Sequence, residues 1–253
     1  MSVIGIIPVR IKSSRLPNKA MKIIEGMPMI GHVYYRCKLS RSLNDIYIAT
    51  CDLIIKKYAE SIGAKVIMTS QSHKRATDRI YEAFCKISKD KRNKIKKIVM
   101  VQGDEPMLNP LMIDDVSKAM NSKEILITNL FTELKKKNEI IDKNRVKVVV
   151  DKDNYAIYFS RKAIPNKINK NQIQYLKQGN IFCFRQEYLK KFAKIKPSNL
   201  EIVESVDMNR FIEKRIKIKM VKSNFYTVNV DTIKDLNLVR KKIKNDKFLK
   251  LYI

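Results

Sequence analysis

Short apolar runs closed by Pro, Gly or an acid alternate with stretches of helical spacing along the first half of the chain. Val3-Ile4-Gly5-Ile6-Ile7-Pro8 reads as a strand, and a short strand at Lys22 to Ile24 follows a polar loop. Met29 to Leu39 has helical spacing, with apolar positions at Ile30, Val33, Tyr34 and Cys37. Asp45 to Thr50 is the next strand, and Asp52 stands where it would cap a helix running to Ser61. Gly63 ends that helix, and Ala64 to Met68 returns to strand. The alternation continues with a helix over Ile80 to Ile87 opened by Thr77-Asp78-Arg79, and with a buried strand over Ile98 to Val101. A helix over Leu111 to Met120 and a strand over Ile125 to Asn129 complete this half. Strand and helix in alternation predict a parallel sheet with right-handed crossovers.

The pattern then changes. Arg145 to Asp151 and Tyr155 to Ser160, joined by Lys152-Asp153-Asn154, predict an antiparallel hairpin, and Gly179 to Arg185 a further strand. Asn166 to Gln174 is polar and reads as a loop. Leu200 to Glu213 reads as one helix, Ile216 to Val221 as a strand, Val228 to Thr232 as a short strand, and Ile233 to Ile243 as the closing helix. The expected architecture is a single α/β domain over 1–253. Its mixed, mostly parallel Rossmann-like sheet is flanked by helices, with residues 1–144 and 226–253 as the core and 145–225 as a smaller antiparallel portion.

Composition narrows the function. The chain is 45% hydrophobic, enough for a sizeable core, yet no run of about 18 apolar residues exists, so no membrane span is expected. Met1 to Pro8 lacks a basic leader and a small-residue cleavage site and reads as the first strand. Cys37, Cys51, Cys85 and Cys183 are scattered without a CxxC pair, which argues against zinc and a redox dithiol and for reduced thiols in the cytoplasm. A net charge of +28 alone would support a nucleic-acid-binding protein. Lysines are, however, spread over every segment, and the dense runs at Lys89 to Lys97 and Lys135 to Lys137 carry no interleaved aromatic residues. The charge therefore reads as a solvated surface that favours anionic substrates, with neither nucleic acid nor membrane as a partner.

Two stretches carry the candidate chemistry. Val99-Met100-Val101-Gln102-Gly103-Asp104-Glu105-Pro106 ends a strand on two carboxylates, where ligands of open α/β sheets gather. Such a carboxylate is a candidate Mg²⁺ ligand. The loop Val9 to Lys19 holds Arg10, Lys12, Arg15 and Lys19 with Ser13 and Ser14, a composition suited to wrapping a polyphosphate. It is not a Walker A loop.

In order along the chain, Ile6-Ile7-Pro8-x-Arg10-x-x-Ser13-x-Arg15-Leu16-Pro17-x-Lys19 is followed by Gly26-x-Pro28-Met29-Ile30-x-His32-Val33 and Ile48-Ala49-Thr50-x-Asp52. Thr77-Asp78-Arg79, Val101-Gln102-Gly103-Asp104-Glu105-Pro106 and Val146-Lys147-Val148-Val149 come next. Tyr155 to Arg161 with Ile164-Pro165, and Val230-Asp231-Thr232-x-x-Asp235-Leu236, complete the set. Together these blocks resemble the 3-deoxy-manno-octulosonate (KDO) cytidylyltransferases, or CMP-KDO synthetases, over nearly the whole chain. The resemblance implies a glycosyltransferase-A-like nucleotidyltransferase fold, CTP and an acidic sugar as substrates, a homodimer, and Mg²⁺ held by Asp104 and Asp231. It implies that Arg10, Arg15 and Lys19 hold the triphosphate, and that Asp104 belongs with them in catalysis. Pro8, Ser13, Arg75, Thr77, Asp78 and Gln102 would complete the nucleotide site. Gln102, Arg161, Gln178, Glu204 and Asp207 would face the sugar, Arg161 opposite its carboxylate.

Three blocks depart from the family pattern. Arg75-Ala76-Thr77 stands where the family has Ser-Gly-Thr, in the loop that reads cytosine. Gln178-Gly179-Asn180-Ile181-Phe182 replaces a His followed by Gly-Ile-Tyr. Asp207-Met208 replaces Glu-Gln in the expected sugar pocket. The nucleotide half thus matches better than the sugar half. The acceptor could be KDO, its 8-amino analogue or a nonulosonic acid, and the nucleotide could differ from CTP.

Overall fold

The computed structural model describes residues 2–166, 174–225 and 227–253. In chain order, β1 is Ser2–Pro8, followed by the small hairpin of β2 Ile23–Ile24 and β3 Met27–Pro28. Helix α1 Met29–Lys38, strand β4 Asp45–Thr50, helix α2 Leu53–Ser61 and strand β5 Lys65–Met68 follow. Then come α3 Ala76–Lys86, α4 Lys89–Lys94, β6 Ile95–Val101 and α5 Pro110–Ala119. The chain continues through β7 Ile127–Leu134, α6 Lys137–Ile141, β8 Lys147–Val150 and β9 Ala156–Ser160. The last elements are β10 Tyr175–Arg185, α7 Gln186–Lys194, α8 Asn199–Glu204, α9 Asn209–Glu213, β11 Lys219–Lys222 and α10 Ile233–Ile243. Among the described residues no helix is long and apolar enough to cross a membrane.

Two compact units divide the chain, Met1–Asp114 with Thr227–Ile253, and Asp115–Tyr226. Strand β7 and helix α6, placed with the core by the sequence pattern, therefore belong to the second unit. In the first unit β1 lies between β6 and β4, with β5 beyond β4, and these four strands pair in parallel, while the β2–β3 hairpin is antiparallel. Ile4, Ile6, Ile7, Ile48, Ile98 and Val99 are all buried, as expected of parallel strands covered on both faces. In the second unit β7 pairs antiparallel with β10 and parallel with β11, while β8 joins β10 to β9 through antiparallel pairs.

Several boundaries differ from the sequence pattern. Leu200 to Glu213 is two helices, because Ser205 adopts φ 53°. Arg161 stabilises the break: its Nε donates to the Glu204 carbonyl at 2.8 Å and its Nη2 to the Ser205 carbonyl at 3.1 Å. A continuous helix would use those carbonyls itself. Val228 to Asp231 is not a strand. It is anchored by the Val230 N–H, which donates to the Asp104 carbonyl at 2.9 Å, and by packing of Val228 and Val230 against Leu16, Leu236 and Val239. Helix α7 was not foreseen, and the loop expected over 166–174 lies almost entirely outside the described residues.

Strand β10 carries a bulge between Gln178 and Phe182. Buried Asn129 braces it, with Nδ2 donating to the Gly179 and Ile181 carbonyls, each at 2.9 Å. A Cβ at Gly179 would stand 2.7 Å from the Leu130 Cβ, a backbone-proximal atom that cannot swing away. Gly179→Ala is therefore expected to lower stability by about 2 kcal/mol, as overpacking does. A fall in the denaturation midpoint without a change in slope is the measurement that checks it.

Candidate active site

Three segments of the first unit converge on one cavity of about 610 Å³. The loop leaving β1 supplies Arg10, Lys12, Ser13, Arg15 and Lys19. The loop before α3 supplies His73, Lys74 and Arg75, the first turn of α3 supplies Arg79, and the turn after β6 supplies Gln102, Gly103 and Asp104. The β6 turn passes close to β1, since a Cβ at Gly103 would meet the Val9 side chain at 3.3 Å. A larger residue there would push the carboxylate turn away from the cationic loop.

At the floor, Lys19 Nζ lies 2.9 Å from Asp104 Oδ2 and 3.1 Å from Asp231 Oδ1, and donates to the Val230 carbonyl at 3.2 Å. Arg15 Nη2 donates to the same Asp231 oxygen at 2.6 Å. Two carboxylates far apart in sequence thus face one ammonium. Burial alone would lower the Lys19 pKa, but the charges and hydrogen bonds of Asp104 and Asp231 outweigh it and hold it above the usual lysine value. Asp231 does not cap α10. Thr232 does, accepting the Asp235 N–H at 3.3 Å while Asp235 accepts the Thr232 N–H at 2.8 Å. That capping box leaves the Asp231 carboxylate to the cations. Of the two acids after β6, only Asp104 lines the cavity. Glu105 is buried and accepts the Thr227 hydroxyl at 2.9 Å, which ties the returning chain beneath the site.

Pro8, Arg10, Ser13, Arg15, Lys19, Arg75, Gln102 and Asp104 of the sequence-derived set line the cavity. Thr77 is buried and Asp78 half-buried in the first turn of α3. In the second unit, the Arg161 guanidinium reaches the carbonyls of Glu204 and Ser205 and that of Lys143 at 3.1 Å. The Glu204 carboxylate accepts Tyr158 Oη and Ser160 Oγ, each at 2.9 Å, and the Arg161 N–H at 2.8 Å. These two residues hold one another and the α8 terminus. Gln178 is buried in β10, Asp207 is half-buried before α9, and Met208 is fully buried.

Sequence reasoning passed over three further residues of the first unit. Arg79 is 3% exposed, donates Nη1 to Thr69 Oγ1, and keeps Nη2 without a partner among the described residues beside the cavity. Its place in Thr77-Asp78-Arg79 was the available signal. Glu82 braces the loop before α3 by accepting the Ser70 N–H at 2.9 Å and pairing with His73 and Lys86. Burial pushes its carboxyl up, but hydrogen bonds from Lys86, the Ser70 N–H and His73 bring it down to about 2. The brace thus stays charged at neutral pH and is lost only as pH falls toward that value. Asp52 is the third.

The sequence model of the cytidylyltransferase family matches residues 4–218. The 3-deoxy-manno-octulosonate cytidylyltransferase of Geotalea daltonii is 34% identical over 257 residues, covering 97% of this chain and 99% of that protein. The 8-amino-3,8-dideoxy-manno-octulosonate cytidylyltransferase of Shewanella pealeana is 35% identical, covering 97% of this chain and 100% of that protein. A solved CMP:2-keto-3-deoxy-manno-octonic acid synthetase complexed with CTP superposes with a TM-score of 0.87 at 30% identity, covering 96% of this chain and 99% of that one. These matches run through the loop after β1, the turn after β6 and the hairpin of the second unit, and on them the chain belongs to the 3-deoxy-manno-octulosonate cytidylyltransferase family and is a nucleotidyltransferase.

Proposed function

We propose that this chain joins the cytidylyl group of CTP to 3-deoxy-manno-octulosonate, or to its 8-amino-3,8-dideoxy analogue, with release of pyrophosphate. The observation that carries the proposal is the Lys19 ammonium held between Asp104 and Asp231 in a cavity walled by arginine and lysine. The solved relative complexed with CTP supports the nucleotide, and the relatives' names support the two sugars.

The anomeric hydroxyl oxygen attacks the α-phosphorus in line. A new P–O bond forms while the bond to the α,β-bridging oxygen breaks, pyrophosphate leaves with the electron pair, and the hydroxyl proton passes to solvent. Arg10, Arg15 and Lys19 hold phosphate oxygens and take up the charge that grows on the departing pyrophosphate. Arg75, Thr77 and Asp78 form the base side, where the open Arg79 nitrogen offers a donor to a base carbonyl. Gln102, at the end of β6, orients the reactants. In the second unit Gln178 and Asp207 contact the sugar, while Arg161 and Glu204 fix the segment that carries Asp207. We take the working form to be a homodimer, a reading that the family resemblance supports.

Asp104 and Asp231 fit a magnesium ion. Their carboxylates already converge on one cationic atom, and among the described residues no group of three or more His, Cys, Asp or Glu is arranged to hold a metal ion. Mg²⁺ commonly takes one or two protein carboxylates and completes its shell with phosphate oxygens and water. When bound, the ion neutralises phosphate charge at the reacting centre.

Pyrophosphate release from CTP, assayed with each sugar in turn, tests the proposal. Turnover is expected with at least one of the two, falling to background in EDTA and returning with excess Mg²⁺. The absence of release with both sugars in Mg²⁺ would overturn it.

A further inference from the structure

Asp52 occupies the N-cap position of α2, where a carboxylate ordinarily accepts a first-turn N–H and stabilises the helix by about 1 kcal/mol. Its side chain makes no such bond. Oδ2 instead accepts the main-chain N–H of Ile11 at 2.8 Å. The Cys51 thiol donates to the same oxygen at 3.5 Å, and the Asp52 N–H donates to Oγ1 of buried Thr50 at 3.2 Å. The carboxylate is thereby pinned at the end of β4 and turned away from its own helix.

Ile11 lies inside the cationic loop, between Arg10 and Lys12, both of which line the cavity. The loop leaves the sheet just before it, with the Val9 N–H still bonded to the Ala49 carbonyl at 3.0 Å. Beyond that bond the segment carries like charges that repel one another and favour no single path. We infer that Asp52 is a positioning residue for the nucleotide: it forgoes capping α2 and fixes the main chain at Ile11, so that Arg10 and Lys12 face the phosphates. A residue that departs from local helix chemistry beside a binding loop is where a functional demand outweighs a structural one. The inference rests on the triphosphate reading of the cavity.

Two substitutions separate positioning from helix stability. Asp52→Ser is one atom too short to reach Ile11 but supplies a favourable cap to α2. Asp52→Asn keeps an oxygen that accepts the Ile11 N–H and removes the charge. For Asp52→Ser, calorimetric titration is expected to show CTP binding weakened about tenfold, the worth of one well-placed hydrogen bond. Its melting temperature should be at or above that of the parent, and its KM for CTP should rise while that for the sugar stays unchanged. Asp52→Asn should bind CTP within about threefold of the parent. Parental CTP affinity in Asp52→Ser, or equal losses in both variants, would overturn the positioning role. A parent protein that binds no CTP would overturn the nucleotide reading, and this inference with it.

Discussion

Asp104→Asn is expected to lower turnover by about three orders of magnitude while the protein stays folded, the scale seen when one preorganised charge is removed from a reacting centre. Asp104 lines the cavity with its side chain 16% exposed, and Asn is of nearly the same size, so the change leaves no buried hole. Lys19 keeps Asp231 at 3.1 Å and the Val230 carbonyl at 3.2 Å, and Arg15 keeps Asp231 at 2.6 Å. The main-chain bond from Val230 to the Asp104 carbonyl does not depend on the side chain. The melting temperature should therefore move by only a few degrees. What the variant loses is one of two converging carboxylates, and with it half of the protein charge that the proposed magnesium ion would meet. Mn²⁺ binding in the presence of CTP, followed by electron paramagnetic resonance, should weaken in parallel with turnover. A folded Asp104→Asn protein with parental turnover and parental Mn²⁺ binding would sink the assignment of both carboxylates.

The sequence exposed Asp104 because strand ends are legible: apolar runs stop abruptly at Pro8, Thr50 and Val101. Asp231 came only with the family resemblance, since the segment before it is not a strand. The sequence could not say which of Asp104 and Glu105 faces the cavity, since both follow β6 and only the return of Thr227 beneath the sheet decides it. The same limit hid Asp52. Local rules make it a helix cap, and the competing Ile11 N–H comes from a segment that the β1–β4 pairing brings alongside. Arg36 shows the limit at its greatest. It reads as a polar helix position, yet it is fully buried, donating to the Leu108 carbonyl at 3.0 Å and to Tyr252 Oη at 3.2 Å and pairing with Asp246 at 2.8 Å. Helical periodicity also ran unbroken from Leu200 to Glu213, because the agent of the break, Arg161, lies on another element. Periodicity reports which face is buried. It carries no information on which distant polar group takes over a backbone carbonyl.

Glu201→Ala should be the most destabilising single change in the second unit, costing roughly 3–5 kcal/mol. Arg210 meets Glu201 through two parallel bonds, Nε to Oε2 at 2.6 Å and Nη2 to Oε1 at 2.7 Å, with side chains 2% and 0% exposed. The Arg210 guanidinium also stacks 3.9 Å from the centre of the Phe192 ring, and its Nη1 donates to the carbonyls of Phe192 at 3.4 Å and Ile195 at 3.3 Å, closing the end of α7. Glu201 meanwhile completes the capping box of α8 with Ser198. Removing the carboxylate leaves a buried guanidinium without its counter-charge and opens the first turn of α8 together. The chain has no tryptophan, so unfolding is best followed by circular dichroism, where a fall of about 10 °C in Tm is expected. The double variant Glu201→Met with Arg210→Met separates charge from packing. If the loss arises from the stranded cation, the double variant recovers much of the stability of the parent, since an apolar pair of similar volume replaces a buried ion pair at little net cost. If the double variant is as unstable as Glu201→Ala, the capping and stacking roles dominate instead. A Glu201→Ala protein within about 1 kcal/mol of the parent would show that the pair holds nothing together.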